Sequence, residues 1–260
     1  MNLQQIIDDI VVKENEERNK DRKDKASPSN IGKCLRALMM MERGEGERIP
    51  FTAQQLRVFR AGYLFEKFVT DCLKKSDRLV ECQLPVEYRG MKGTLDYIVT
   101  DDDGSQIIVD CKSVHSRKFN YLDIGEVDTG YALQQTCYYL GAKASGKFPK
   151  LSTKALLFYV EKECLLTKTI EINVDEWKPR LDKIIDDIEL ARKREDIPPE
   201  LDPMAKGEWR CFTVQKSRHK VPRFIGLKRW CPFLMSCPGV CATAEKIEKQ
   251  IKEAENDSES

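Results

Sequence analysis

The strand-like stretch from Gln106 to Val114 (QIIVDCKSV) constrains the fold of this chain more than any other feature. Its β-branched, apolar residues are typical of a buried strand, yet Asp110 and Lys112 interrupt them. Because alternate side chains of a strand share a face, Asp110 and Lys112 point the same way and Cys111 points to the other face. Burying such charges is costly unless they have partners. The stretch therefore predicts a polar site built into an apolar sheet.

The order of the remaining elements predicts an α/β fold with a mixed central sheet flanked by helices. Two more strand-like runs, 79–88 and 93–100, precede the stretch, and the acidic segment Asp101 to Gly104 is typical of a turn between antiparallel strands. Apolar periodicity predicts the other elements, which are helices at 31–44, 52–76, 131–144 and 174–195 and a hairpin at 155–172.

Composition limits the class of protein. The chain has 260 residues, 44 Lys and Arg, 43 Asp and Glu, and a formal net charge of +1, which argues against a uniformly basic nucleic-acid coat but leaves room for a local basic groove. The apolar runs are too short for a membrane span, and the acidic N-terminus predicts no secretory signal. We therefore expect a cytoplasmic protein whose ten cysteines stay reduced, so that a cysteine cluster indicates a metal site.

The charged residues of neighbouring elements predict a metal site. If the strands pair across the 101–104 turn, Asp96 lies beside Asp110, and Glu66 of the preceding helix can complete a set of oxygen ligands. Such hard ligands suit Mg²⁺ or Mn²⁺. A metal held there would acidify a water and offset charge on a leaving oxygen, and Lys112 would orient the water or stabilise developing charge. The chemistry that fits is phosphodiester hydrolysis.

These residues resemble the motifs of the RecB-type PD-(D/E)xK nucleases. The matching elements are Glu66, the G-x-x-D of Gly93 to Asp96, the D-x-K of Asp110 to Lys112, and the Q-x-x-x-Y of Gln134 to Tyr138. The resemblance covers roughly residues 27–172 and implies a restriction-endonuclease-like core. It also implies that the three acids bind the metal, that Lys112 is catalytic, and that Gln134 and Tyr138 lie by the active site and substrate. Leu95 stands where the family name has proline.

The cysteines near the chain ends predict a second metal centre. Cys34 lies before the core, and Cys231, Cys237 and Cys241 follow it within eleven residues. Four cysteines could hold tetrahedral Zn²⁺ or a [4Fe–4S] cluster. One branch of the family, which includes the CRISPR-associated adaptation nuclease and AddB, has an iron–sulfur cluster held by one early and three late cysteines. Lys228 stands where that branch has the first late cysteine, so the fourth ligand is Cys241 or, alternatively, Cys211.

The expected organisation has four parts. A charged N-terminal helix or tether (1–26) precedes the nuclease core (27–199), a basic, cysteine-rich, cluster-binding segment follows (200–241), and an acidic tail ends the chain (242–260). Basic and aromatic residues can bind phosphates and stack on unpaired bases. The candidate DNA-binding residues are Arg36, Lys118, Tyr121, Lys216, Arg218, Lys220 and Arg223.

The leading hypothesis is a metal-dependent deoxyribonuclease. The resemblance implies exonuclease action on single-stranded or frayed DNA in recombination, repair or replication, in a bacterial or archaeal cell or in a host infected by a phage that encodes it. A helicase, a recombinase or a single-strand-binding protein is a candidate partner. The alternatives are a non-catalytic DNA- or partner-binding module on a nuclease scaffold, and a zinc-stabilised nuclease without iron.

Overall fold

A computed structural model describes most of the chain, namely residues 2–20, 25–122, 127–196, 211–215, 226–229, 231–234, 236–237 and 240–259. Its helices are α1 (Leu3–Asn19), α2 (Leu35–Arg43), α3 (Ala53–Leu73), α4 (Ser116–Asn120), α5 (Thr129–Ala144), α6 (Val174–Arg192) and α7 (Val240–Glu259). Its strands are β1 (Leu79–Tyr88), β2 (Met91–Thr100), β3 (Gln106–Val114), β4 (Leu151–Glu161), β5 (Thr167–Asn173), β6 (Phe212–Gln215) and β7 (Gly226–Arg229). No helix of the described residues is long and apolar enough to cross a membrane.

The central sheet is mixed, as the element order predicts. Its strand order is β1-β2-β3-β4-β5, with β3 and β4 parallel and the other neighbours antiparallel. The predicted acidic turn joins β2 to β3, and the amide of Asp101 donates to the carbonyl of Ser105 at 2.8 Å. Gly104 has φ +80°, a left-handed conformation that glycine adopts without strain. The parallel pair is bridged by a crossover that carries α4 and α5.

Strand alternation gives the sheet two apolar faces. Ala155, Leu157 and Tyr159 of β4 pack in one cluster with α5 residues, whereas Val160 packs in another cluster with Val69 of α3. The two helices therefore cover opposite faces. Ile108 and Val114 of β3 belong to the α5 side. Asp110 and Lys112 lie at alternate positions between them, so they are on the same face of the sheet, whereas Cys111 is on the α3 face.

The described residues form two compact units. The first holds β1 to β5 with α1, α3, α4, α5 and α6 up to Asp186. In it, α1 packs against α3 and buries Val11. The second holds α2, β6, β7, α7 and the end of α6. There, the guanidinium of Arg192 donates to both carboxylate oxygens of Glu42 at 2.9 and 2.6 Å, which fixes α2 to the end of α6.

The start of α2 differs from the sequence-based expectation. The helix expected from about Ile31 begins at Leu35, because Ser27 and Asn30 close a turn of their own in which the Ser27 amide donates to Asn30 Oδ1 at 2.7 Å. Asn30 thus satisfies the turn and does not cap the helix. A polar helix is expected from residue 242 ahead of the acidic tail, and α7 extends through Glu259.

Candidate active site

Asp110 and Lys112 of β3 form a buried ion pair. The Lys112 ammonium lies 2.5 Å from Asp110 Oδ2, and the Asp110 side chain is 1% exposed. Burial raises the pKa of Asp110, while Lys112 opposes that shift. Burial lowers the pKa of Lys112, but its interaction with Asp110 and the added negative charge of Asp96 together outweigh burial, and the net shift is upward. Lys112 therefore stays protonated at neutral pH, as the sequence-based role of a cation requires.

Asp96 of β2 lies next to this pair. In the β2–β3 register Tyr97 is opposite Val109, so the next position along brings Asp96 level with Asp110. Asp96 Oδ2 accepts the Cys111 amide at 3.0 Å. Burial, reinforced by the charge of Asp110, raises the pKa of Asp96 to about 7. The predicted proximity of the two strand carboxylates is therefore present, and it makes both of them harder to ionise together.

Glu66 comes from α3, on the other side of the sheet. Burial raises its pKa, and so does the charge of Asp110, whereas the Gln83 hydrogen bond lowers it. Tyr97 fixes this part of α3, because its hydroxyl donates to the Glu66 carbonyl at 3.0 Å and lies 2.8 Å from Thr70 Oγ1. Glu66, Asp96 and Asp110 are therefore electrostatically coupled, and they are the residues that could hold a divalent cation.

Gln83 is a site residue that the sequence did not reveal. Its amide donates to Glu66 Oε1 at 2.7 Å, so it orients the carboxylate that α3 contributes. Its φ of 52° is unusual for a residue with a side chain inside a strand, and such strain concentrates at functional sites. A polar residue on an edge strand carries no sequence signal of this role, because the contact joins residues that lie far apart in the chain.

Gln134 and Tyr138 lie one turn apart on α5, and the Gln134 amide donates to the Tyr138 hydroxyl at 2.9 Å. Both are buried, and burial raises the pKa of Tyr138 to about 12. Tyr138 packs so closely against Gly93 that a Cβ at Gly93 would lie 2.8 Å from its ring. The glycine of the G-x-x-D element thus makes room for the tyrosine of the Q-x-x-x-Y element.

Tyr131, in the first turns of α5, is the second residue that the sequence did not reveal. The Lys112 ammonium lies 5.0 Å from the centre of its ring, and the Lys118 ammonium lies 4.7 Å from the same point. Lys118 also pairs with Asp128 at 3.6 Å. A cation over an aromatic face gains about 0.5–2 kcal/mol. Tyr131 therefore contacts the Lys112 ammonium through its ring and brings a second cation, Lys118, close to the same ring.

The donor set fits a hard divalent cation. Glu66, Asp96 and Asp110 each interact electrostatically with Lys112, so full ionisation of the three carboxyls leaves an excess of negative charge that Mg²⁺ or Mn²⁺ would neutralise. Asp110 Oδ2 is buried, and within the described residues its close partner is Lys112 alone, without regular hydrogen-bond geometry. As the side chains stand, no three His, Cys, Asp or Glu residues of the described ranges are arranged as a complete metal site.

Comparison with known proteins decides the family. The model of the PD-(D/E)XK nuclease superfamily matches residues 5–238, a range that includes every active-site residue described above. The chain belongs to the PD-(D/E)XK nuclease superfamily. Among solved structures it is similar to SSO0001 (15% identity, TM-score 0.44, 73% of this chain and 88% of that chain). It is also similar to LHK-Exo in complex with dAMP (12% identity, TM-score 0.47, 67% and 91%). No curated protein matches the chain.

Four cysteines of the second unit of this PD-(D/E)XK chain lie in one buried cluster. Cys34, Cys211, Cys231 and Cys237 are buried in one cluster with Phe233 and Leu234. The Cys231 amide donates to the Cys211 carbonyl at 3.1 Å. Burial raises the pKa of Cys231 to about 11, and Cys34 and Cys237 add to the shift. Three predicted ligands and the alternative Cys211 are therefore together. Cys241 lies in the first turn of α7, and its side chain is outside the described residues.

The predicted DNA-binding residues are only partly described in this nuclease. Lys118 lies at the active site, and Tyr121 follows α4 with 57% of its surface exposed. Arg36 lies half-buried in α2 of the second unit. The four others, Lys216, Arg218, Lys220 and Arg223, lie outside the described residues.

The raised pKa of Asp96 predicts how the metal-free nuclease responds to pH. A carboxyl with a pKa near 4 when unfolded and about 7 when folded favours folding below pH 4, and this contribution is lost as the pH rises through 7. Asp96→Asn should therefore raise the thermal midpoint in EDTA at pH 8, on the order of 5 °C, and less at pH 5. Calorimetry at both pH values measures this. A lower midpoint at pH 8 would contradict the coupling.

Tyr131 gives a second expected result in this nuclease. Tyr131→Leu removes the aromatic face under Lys112 and should lower kcat for DNA cleavage about 10-fold with little change in KM, whereas Tyr131→Phe keeps the face and most of the activity. Steady-state kinetics of the two variants measures the difference. Equal losses in both would mean that the hydroxyl, and not the ring, is what matters.

Proposed function

We propose that this chain is a metal-dependent DNA nuclease that hydrolyses phosphodiester bonds, acting as an exonuclease on single-stranded or frayed DNA ends. The observation that supports hydrolysis most is the coupled set of Glu66, Asp96 and Asp110 around one protonated lysine. The exonuclease mode, and a place in recombination, repair or replication beside a helicase, recombinase or single-strand-binding protein, follow from the resemblance to RecB-type nucleases.

The charge of each site residue determines its proposed role. Glu66, Asp96 and Asp110 would hold Mg²⁺ or Mn²⁺, which supplies an acidified water and offsets charge on the leaving oxygen. Lys112, held between Asp110 and Tyr131, orients the attacking water or stabilises the charge that develops on the scissile phosphate. Gln83 keeps Glu66 in place, and Tyr138 with Gln134 supports the α5 side of the site. Lys118 binds the DNA backbone nearby.

Substrate topology tests the mode of cleavage. The full chain, purified anaerobically, is incubated with Mg²⁺ or Mn²⁺ and with three DNAs: end-labelled single strands, end-labelled duplex and single-stranded circles. We expect mononucleotides or short products from the linear single strands, slower release from duplex ends, and intact circles. Cutting of the circles would establish an endonuclease and overturn the exonuclease mode, while leaving metal-dependent hydrolysis in place.

We further propose that the cysteine cluster of the second unit holds a [4Fe–4S] cluster, with Zn²⁺ as the alternative. Cys34, Cys231 and Cys237 would supply three ligands, and Cys241 or Cys211 the fourth. The co-burial of four thiols in one apolar cluster supports the proposal, because thiols so placed become good ligands only as thiolates, which a metal stabilises. The centre would have a structural role, joining the segment around Cys34 to the segment that follows the core.

A further inference from the structure

Two aromatic side chains of the first unit form an exposed pair. Phe51 and Phe59 pack edge to face with ring centres 5.1 Å apart, and they are 40% and 48% exposed. Phe51 precedes α3, and Thr52, which caps the helix through its hydroxyl and Gln55, fixes where the chain enters it. The pair is therefore a pre-organised aromatic surface, and we call Phe51 and Phe59 the aromatic ledge.

The direction of α3 brings the ledge to the active-site end of the sheet. Val69 packs in one cluster with Val109, whereas a Cβ at Gly62 would lie 3.6 Å from the Ser113 hydroxyl. The helix α3 therefore runs antiparallel to β3. Its residues from Val69 back to Gly62 lie along β3 from Val109 to Ser113, a stretch that includes Asp110 and Lys112. Phe59 lies a further three residues back on α3, which is about 4.5 Å further along the helix axis in the same direction.

The ledge shares a helix face with a candidate metal ligand. Phe59 and Glu66 are seven residues apart, which is two turns, so both lie on the same face about 10 Å apart along the axis. That separation corresponds to about three stacked nucleotides at about 3.4 Å each, and to fewer in an extended strand. A strand whose phosphate reaches the carboxylates would therefore lay its neighbouring nucleotides over Phe59.

The charge beside the ledge suits a polyanion. Three arginines link α1 and α3, and two of them, Arg57 and Arg60, pair with Asp8 and Glu14. Arg18 instead donates to the Tyr63 hydroxyl at 2.8 Å and lies 5.2 Å from the centre of its ring. Among the described residues Arg18 has no carboxylate partner, so a cation on an exposed aromatic ring lies between the ledge and Glu66.

We infer that the aromatic ledge, with Arg18 and Tyr63, is a binding site for unpaired nucleotides of a DNA strand entering the active site. This inference rests on the proposed nuclease function and specifies how its substrate is bound. Exposed aromatic faces stack on bases in single strands, whereas bases in a duplex already stack on one another. The ledge thus selects single-stranded segments next to the scissile phosphate.

Equilibrium binding of the full chain tests the inference. Fluorescence anisotropy in EDTA, where DNA is not cleaved, compares a labelled oligothymidine with a blunt hairpin duplex. Phe59→Leu should weaken binding of oligothymidine at least about 5-fold and leave binding of the hairpin within 2-fold, and Phe59→Trp should restore it. The matched control is Phe68→Leu, the same change at a residue that is 58% exposed on the opposite face of α3.

The outcomes separate this inference from the proposed function. The ledge as a DNA site would be overturned if Phe59→Leu binds oligothymidine as tightly as the wild type, or if Phe68→Leu weakens binding equally. It would also be overturned if sedimentation shows a dimer for the wild type and a monomer for Phe59→Leu. Metal-dependent cleavage of duplex ends by the wild-type protein is measured alongside. If cleavage is absent while the binding pattern holds, the nuclease proposal fails and the binding site stands.

Discussion

Lys112→Met is expected to lower the free energy of unfolding of the metal-free protein by about 3–5 kcal/mol at pH 8. It is also expected to lower the rate of DNA cleavage at least about 100-fold. The Asp110 side chain is 1% exposed, and the Lys112 ammonium 2.5 Å away is its close partner. Without that ammonium, a buried carboxylate either ionises alone or takes up a proton. Chemical denaturation in EDTA measures the stability, and a single-turnover assay with Mn²⁺ measures the activity.

The pH dependence and a double variant identify the cause. Loss of Lys112 raises the pKa of Asp110 further, so Lys112→Met should destabilise the protein less at pH 5 than at pH 8, because proton uptake by Asp110 relieves the unpaired charge as the pH falls. Asp110→Asn combined with Lys112→Met leaves no unpaired charge and should recover most of the stability while staying inactive. A cost of Lys112→Met that does not vary with pH, or no recovery in the double variant, would point to packing instead of charge.

If the second unit holds the proposed metal centre, Cys231→Ser is expected to remove that metal and to unfold the unit. Cys231 is buried beside Cys34 and Cys237, and the free energy of binding a structural metal is on the order of 10 kcal/mol, which the small sheet of β6 and β7 cannot replace. Anaerobic purification, a visible spectrum, and iron, sulfide and zinc analysis measure the loss. The matched control is Cys137→Ser, which changes an equally buried thiol in the first unit.

The same measurement decides between the two metals. Brown wild-type protein with iron and sulfide supports the [4Fe–4S] cluster, and colourless protein with stoichiometric zinc supports the alternative. Wild-type protein that carries neither metal, or equal metal loss in Cys137→Ser, would overturn the cysteine centre. Comparison of Cys211→Ser with Cys241→Ser identifies the fourth ligand.

Local patterns in the sequence were sufficient to predict the sheet. The strand expected at 79–88 is β1, the strand expected at 106–114 is β3, and the acidic turn between β2 and β3 forms as expected. Period-two alternation and turn residues act over a few residues, so they are legible in one sequence. The predicted start of α2 is wrong because Ser27 and Asn30 serve equally well as helix caps or as a turn, and only the tertiary fold selects the turn.

Only part of the candidate site can be predicted from the sequence, for a physical reason. Asp110 and Lys112 are two residues apart on one strand, so their shared face follows from strand geometry. Gln83 contacts Glu66, and Tyr131 contacts Lys112. The partners are 17 and 19 residues apart in the chain, so no local sequence pattern indicates these contacts. The exposure of Phe59 has no sequence signal either, because apolar residues at helical spacing are typical of a buried helix face.

The central claim is that buried carboxylates hold a divalent cation for phosphodiester hydrolysis, and Asp110→Asn tests it most directly. The change keeps the shape of the side chain and removes its charge. The wild-type protein should degrade end-labelled single-stranded DNA with Mg²⁺ or Mn²⁺ and not in EDTA, and Asp110→Asn should be at least about 1,000-fold slower while remaining folded. Cleavage that persists in Asp110→Asn, or that does not depend on metal in the wild type, would contradict the account.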